Sequence, residues 1–129
     1  MTDSSPRTAL VVDDNEDVRF LARIGLEGDG FKVTEAAGGE EAMAHLQSGG
    51  KPDLVVLDVQ MPVMTGWEIL QAIRGHEATR HMPVIMCTVK TSPDSKQRGF
   101  DLGCDGYIGK PYRVAELVAE ANRVLKERH

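Results

Sequence analysis

The sequence predicts an α/β domain, (βα)5, with five strands in one parallel sheet covered by helices on both faces. Three observations carry this. Short apolar runs alternate with segments of helical period along the 129 residues, the pattern of successive crossover units. The runs "LVVL" and "VIMC" are apolar at every position, as strands buried on both faces require. Turn-forming groups, Gly28-Asp29-Gly30, Gly49-Gly50-Lys51-Pro52 and Met82-Pro83, separate the elements.

The first strand is expected over Ala9–Asp13, where an apolar run meets two carboxylates, Asp13 and Asp14. On the helix that follows, Val18, Leu21, Ala22 and Gly25 share a face for packing, while Phe20 and, one turn on, Ile24 project the other way. The second strand is expected over Lys32–Ala36. The third, Leu54–Asp58, ends on a single carboxylate and breaks into Met61-Pro62 and Gly66. The fourth is Val84–Thr88. Ser92-Pro93 then supplies an N-cap and first turn for a helix running to about Gly103. Gly99 inside that helix costs about 1 kcal/mol relative to alanine, so this helix is expected to be the loosest. The fifth strand is Gly106–Ile108. The last helix carries an apolar stripe of Val114, Leu117, Val118, Ala121, Val124 and Leu125, with Glu116, Glu120, Arg123 and Glu127 on its outer face.

Composition narrows the class. With 41% hydrophobic and 27% charged residues the chain is an ordinary globular one. No apolar run approaches the roughly 20 residues of a membrane span, and the polar start "MTDSSPRT" does not read as a signal peptide, so a cytoplasmic protein is expected. A net charge of −5 gives no reason to expect nucleic-acid binding. The short basic groups Lys90, Lys96 and Arg98, and Arg123, Lys126 and Arg128, read as solvated helix and loop residues. Cys87 and Cys104 lack metal spacing and read as free thiols. His45, His76, His81 and His129 are scattered and form no ligand pair.

In parallel sheets of this kind, sites form in the crevice at the carboxyl ends of the strands. Asp13, Asp14, Asp58 and Thr88 fall there, and Lys110, just after the fifth strand, reaches the same edge. Three carboxylates at one place repel one another unless a cation is shared among them. Oxygen-only ligands favour Mg²⁺, or Mn²⁺, over zinc. A lysine and a hydroxyl beside such an ion suit a phosphoryl group, and one carboxylate can be the nucleophile.

The ordered motifs "VVDDNED", "LVVLDVQMPVMTGWEIL", "PVIMCT" and "GCDGYIGKP" resemble the receiver domain of two-component response regulators, over about Thr8 to Leu125. The resemblance implies a flavodoxin-like doubly wound sheet of order 2-1-3-4-5 and a single receiver domain over 1–129. It also implies that Asp58 is the phosphoacceptor, served by a sensor histidine kinase or a histidine phosphotransfer protein. Asp14, Asp58 and the backbone carbonyl of Gln60 would hold Mg²⁺, and Asp13 would hold a metal-bound water. Lys110 and Thr88 would engage the phosphoryl oxygens. The Lys110-Pro111 peptide would be cis. Thr88 and Tyr107 would form the switch, which biases a face built from the fourth helix, fifth strand and fifth helix toward a downstream target. The protein would be a monomer or a phosphorylation-dependent dimer, and would catalyse only its own phosphorylation and slow dephosphorylation. Receivers often meet their phosphodonors through the first helix, which makes Phe20 and Ile24 candidate contacts.

Three positions bear on phosphoryl lifetime. Val89 stands where the family usually has a small residue, and Gln60 and Lys90 occupy its rate-tuning positions. The competing readings are weaker. A small phosphohydrolase of the haloacid type needs a second acid where Gln60 stands. A nucleotide-binding loop needs glycine at Cys104 and a hydroxyl at Pro111. A flavin site of this architecture would not place two acids at its phosphate loop. A phosphorylation-independent pseudo-receiver remains an alternative, although its usual sign is loss of one of the five key side chains. Whether the chain acts alone or as part of something longer is left open by the sequence.

Overall fold

The computed structural model describes residues 6–127. The elements are β1 (Thr8–Val12), α1 (Glu16–Gly28), β2 (Lys32–Ala36), α2 (Gly39–Gln47), β3 (Leu54–Asp58), α3 (Gly66–Gly75), β4 (Val84–Thr88), α4 (Pro93–Asp101), β5 (Gly106–Gly109) and α5 (Val114–Glu127). All strand pairs are parallel, in the order β2-β1-β3-β4-β5, as expected. The order reverses between β1 and β3, and this puts the ends of those two strands side by side at a crevice.

Alternation along the strands divides the core in two. Leu10 and Val12, Val55 and Leu57, and Val84 and Met86 face α2 and α3, where they pack with Leu46, Ile69, Leu70 and Ile73. Ala9 and Val11, Leu54 and Val56, and Ile85 and Cys87 face α1 and α5, packing with Leu26, Leu117, Ala121 and Val124. Every residue of β3 and β4 is buried. Both cysteines are free, as expected, and both are buried, which pushes each thiol up to about 12.

Several element ends differ from the sequence reading. β1 stops at Val12 because the Asp13 carboxylate turns to accept the Asn15 amide at 2.9 Å, starting the cap of α1. β5 gains Gly109, which pairs with Thr88. α4 starts on its Ser92 cap as expected but ends at Asp101, because Gly103 takes a left-handed φ of 100° that closes the helix. On α1, the expected packing face includes Leu21, yet Leu21 is 54% exposed. The buried line is Ala22 and Leu26 with half-buried Val18 beside them, spaced four apart, and Leu21 lies at its margin. Glu120 is also not a solvated residue of the outer face. It accepts from the Tyr107 amide at 3.3 Å and from Arg123, whose hydrogen bond holds its carboxyl below the usual range. Arg128, His129 and the start of the polar N-terminal stretch lie outside the described residues.

Candidate functional site

The loops at the carboxyl edge are shaped by local chemistry. Asn15 caps α1 by accepting from the amides of Asp17 and Val18, and its own amide donates to Asp13, so the helix start orients the first acid. Arg19 reinforces this by donating to the Asp13 carbonyl at 2.7 Å while pairing with Glu35 at 3.1 Å. After Asp58 the chain turns at Val63, whose φ of 69° goes with a Met64 amide donating to the Pro62 carbonyl at 2.7 Å, a tight γ-turn. The Gly66 amide then donates back to the Val59 carbonyl at 2.9 Å. Only glycine fits there, since a Cβ at Gly66 would lie 2.2 Å from the Asp58 carbonyl oxygen. Thr65 and Glu68 close a capping box on α3.

Carboxylate oxygens of Asp13, Asp14 and Asp58 lie within 4.8 Å of one another. Asp13 and Asp58 are buried and Asp14 is exposed, so the cluster opens to solvent on one side. The Lys110 ammonium pairs with Asp13 and lies 3.4 Å from Asp58. Burial, with the charge of Asp13 adding to it, pushes the Asp58 carboxyl above its ordinary range, although Lys110 and the Gln60 amide pull the other way. Burial alone would lower the Lys110 ammonium; its hydrogen bond to Asp13 and the two carboxylate charges outweigh that and raise it. One ammonium thus pairs with two of the three clustered acids, and the mismatch leaves the cluster negative.

Thr88 is fully buried at the end of β4, and its hydroxyl accepts from the Lys90 amide at 3.1 Å. The Lys110 amide donates to the Thr88 carbonyl at 2.8 Å, tying the loop after β5 to β4. The Lys110-Pro111 peptide is cis. The Gln60 amide donates to Asp58 at 3.3 Å, a contact the sequence reading did not include. Tyr107, half-buried, donates its hydroxyl to the Lys90 carbonyl at 2.5 Å, so it touches the loop that follows Thr88. Val89 is 59% exposed. Together with Val18, Leu21, Pro111, Tyr112 and Lys110 it lines an apolar groove of about 340 Å³ beside the acids.

Asn15 and Arg19 are absent from the sequence reading, and Gly66 appears there only as the break after the third strand. The signal for Asn15 was present, an asparagine ahead of Glu16 and Asp17 at a helix start. Arg19 carries no such signal, because its partner Glu35 comes from a different element, β2.

The comparisons with known proteins agree with this geometry. The family described as the response regulator receiver domain matches residues 9–122. The transcriptional regulatory protein PrrA of Mycobacterium leprae is 38% identical over 125 residues, 97% of this chain and 52% of that protein. The phosphate regulon transcriptional regulatory protein PhoB of Pseudomonas aeruginosa is 37% identical over 93% of this chain and 52% of its own length. The chain therefore spans about half the length of these curated relatives. Among solved structures, the chemotaxis protein CheY4 of Vibrio cholerae superposes with a TM-score of 0.87 at 36% identity, covering 93% of this chain and 99% of that one. A response regulator receiver domain protein of Methanospirillum hungatei gives 0.86 at 28% identity, with 96% and 97% covered. With the motifs in order, the sheet order matched and the acids at the strand-order reversal, this chain belongs to the response regulator receiver domain family.

Proposed function

We propose that the chain is the phosphoacceptor module of a two-component system or phosphorelay, a single receiver unit that takes a phosphoryl group on Asp58. The observation that carries this is the meeting of three carboxylates, within 4.8 Å of one another, with the Lys110 ammonium at one strand edge. A donor's phosphohistidine supplies the group. An Asp58 carboxylate oxygen attacks phosphorus, the P–N bond breaks, an acyl phosphate forms, and a proton goes to the departing imidazole nitrogen. Burial and Asp13 disfavour negative charge at Asp58, and a phosphoryl group adds more of it, so Lys110 and a bound cation have to offset the product's charge.

The donor set fits a hard divalent cation, since it offers oxygens only and an excess of negative charge. Asp14 and Asp58, with the Gln60 carbonyl, would hold Mg²⁺ or Mn²⁺, and Asp13 would hold a water on it. When bound, the ion supplies charge neutralisation between the carboxylates and the incoming phosphoryl oxygens. Lys110 shifts from its carboxylate partners toward one phosphoryl oxygen. The Thr88 hydroxyl accepts from Lys90 and keeps its own proton to donate to another.

The added charge then acts on the switch. As Thr88 moves toward the phosphoryl group, the loop carrying Lys90 follows, and Tyr107 loses its partner and turns inward. The face made by α4, β5 and α5 is the readout surface for a downstream target or a second copy. The groove at Val18, Leu21, Val89, Pro111 and Tyr112, continued by exposed Phe20 and Ile24, is the surface on which a histidine kinase or phosphotransfer protein docks. A cytoplasmic location goes with this reading, and no helix among the described residues is long and apolar enough to cross a membrane. The named relatives are transcriptional regulators; the part proposed for this chain is phosphoryl acceptance, without contact to nucleic acid.

The test is incubation with phosphoramidate, a small P–N donor, and Mg²⁺, followed by intact mass. The native protein gains one phosphoryl group and Asp58→Asn gains none. Equal gain in both proteins, or none in the native one, rejects the reading.

A further inference from the structure

Among the described helices α4 has the fewest buried residues, Gly99 being its single one. Its polar side chains bond along the helix, Ser92 with Ser95 and Gln97 with Asp101. Two neighbouring positions seat it against aromatic rings. A Cβ at Gly99 would lie 3.1 Å from two ring carbons of Tyr107 and 3.2 Å from the Cys104 sulfur, so the helix backbone rests on that ring. At Arg98 the guanidinium carbon stands 4.9 Å from the centroid of Trp67.

Trp67 is the chain's one tryptophan and is only 7% exposed. It is the second residue of α3, directly after Gly66, whose backbone lies against the Asp58 carbonyl. The indole is therefore fixed to the strand that ends in Asp58. From α4, one physical route to the acidic site runs through Tyr107 and Lys90. A second runs through Arg98, Trp67 and Gly66.

We propose that the Arg98–Trp67 stack is a latch that holds α4 in its resting seat and so opposes phosphorylation of Asp58. This deepens the phosphoacceptor reading and rests on it. Adjacent helix positions point about 100° apart, so residues 98 and 99 reach their rings only at one helical phase. When Tyr107 leaves Gly99, the roll of α4 that follows lifts the guanidinium off the indole. A contact made in one state alone shifts the equilibrium by its own factor, and by linkage shifts ligand affinity by the same factor. For an exposed cation–π pair that factor is about two- to fivefold.

The experiment uses Arg98→Met, which keeps the alkyl stem and removes the cation, with Arg98→Lys as the conservative variant. Affinity for beryllofluoride, a phosphoryl mimic, is measured in Mg²⁺ from the fluorine resonance of the bound anion. Amide exchange of α4 is measured in the metal-free proteins. The expected result is two- to fivefold tighter beryllofluoride binding and faster α4 exchange in Arg98→Met, with both effects reduced in Arg98→Lys. Unchanged α4 exchange overturns the latch. Faster exchange with unchanged affinity also overturns it, because the stack is then only a structural pin. Failure of the underlying reading looks different: the native protein itself binds no beryllofluoride and takes no phosphoryl label.

Discussion

The two edges of the sheet hold similar chemistry in opposite balance. At the amino edge Asp53 and Asp105 have their partners. Arg74 pairs with Asp105 at 3.0 Å and donates to the carbonyls of Arg80, Met82 and Gly103. Asp105 also accepts from the Val84 amide at 2.9 Å, and Asp53 accepts from the Thr8 amide at 2.8 Å. At the carboxyl edge one lysine pairs with two of three clustered acids. Satisfied charges pin strand starts and loops in place, whereas the unbalanced set leaves an excess of negative charge that fits a cation. The contrast sets an edge whose charges are paired within the fold against the edge proposed to carry the chemistry.

Several changes break or sharpen that contrast. The largest is Asp58→Asn, which abolishes phosphoryl uptake by intact mass while leaving the fold intact. In metal-free buffer the same variant melts higher than the native protein, because it removes a carboxylate that burial and Asp13 disfavour; a lower melting temperature contradicts the electrostatic account. Next is Arg74→Ala at the other edge, expected to cost about 3 kcal/mol in denaturant unfolding, because it removes the guanidinium that pairs with Asp105 and donates to three carbonyls. Its folded fraction still takes the label, and a variant that is stable but unlabelled blurs the division between the edges.

Proton linkage gives a third test. A carboxyl whose pKa is raised on folding binds its proton more tightly in the native state, so acidification through that range stabilises the metal-free fold through Asp58, and the gain disappears as pH rises through the raised value. Glu120, lowered by Arg123, acts in the opposite direction, contributing stability above the usual carboxylate range that is lost as pH falls through its lowered value. The pH dependence of melting in native protein minus that in Asp58→Asn isolates the first effect, and Mg²⁺ affinity weakens over the same range. The smallest effect is at Val89. Its side chain lines the groove beside the acids, and Val89→Ala is expected to speed labelling and decay roughly threefold, about 0.7 kcal/mol of barrier. Unchanged rates put the restriction elsewhere.

The strands and the acids were legible because both are local signals. An apolar run ending in Asp58 needs no knowledge of its neighbours, and Asp13, Asp14, Thr88 and Lys110 meet at one edge once the sheet is parallel. What escaped was set by packing between elements. Leu21 lies on the expected face of α1, yet the neighbours covering Ala22 and Leu26 do not extend over it. Glu120 sits on the polar side of α5 but turns back to the Tyr107 amide, and Arg74 gathers its partners from two separate loops. The ends of β1 and α4 moved because Asn15 and Gly103 fix capping geometry to the residue, where periodicity gives only a region.

The most direct measurement of the central claim is the rate of phosphoryl uptake from phosphoramidate as Mg²⁺ is titrated from chelated buffer to saturation. Paired acids that need a cation to accept phosphorus predict a saturable rise from a negligible rate, weakened in Asp14→Asn and absent in Asp58→Asn. A rate indifferent to chelation, or a native protein that never takes the label, would contradict it.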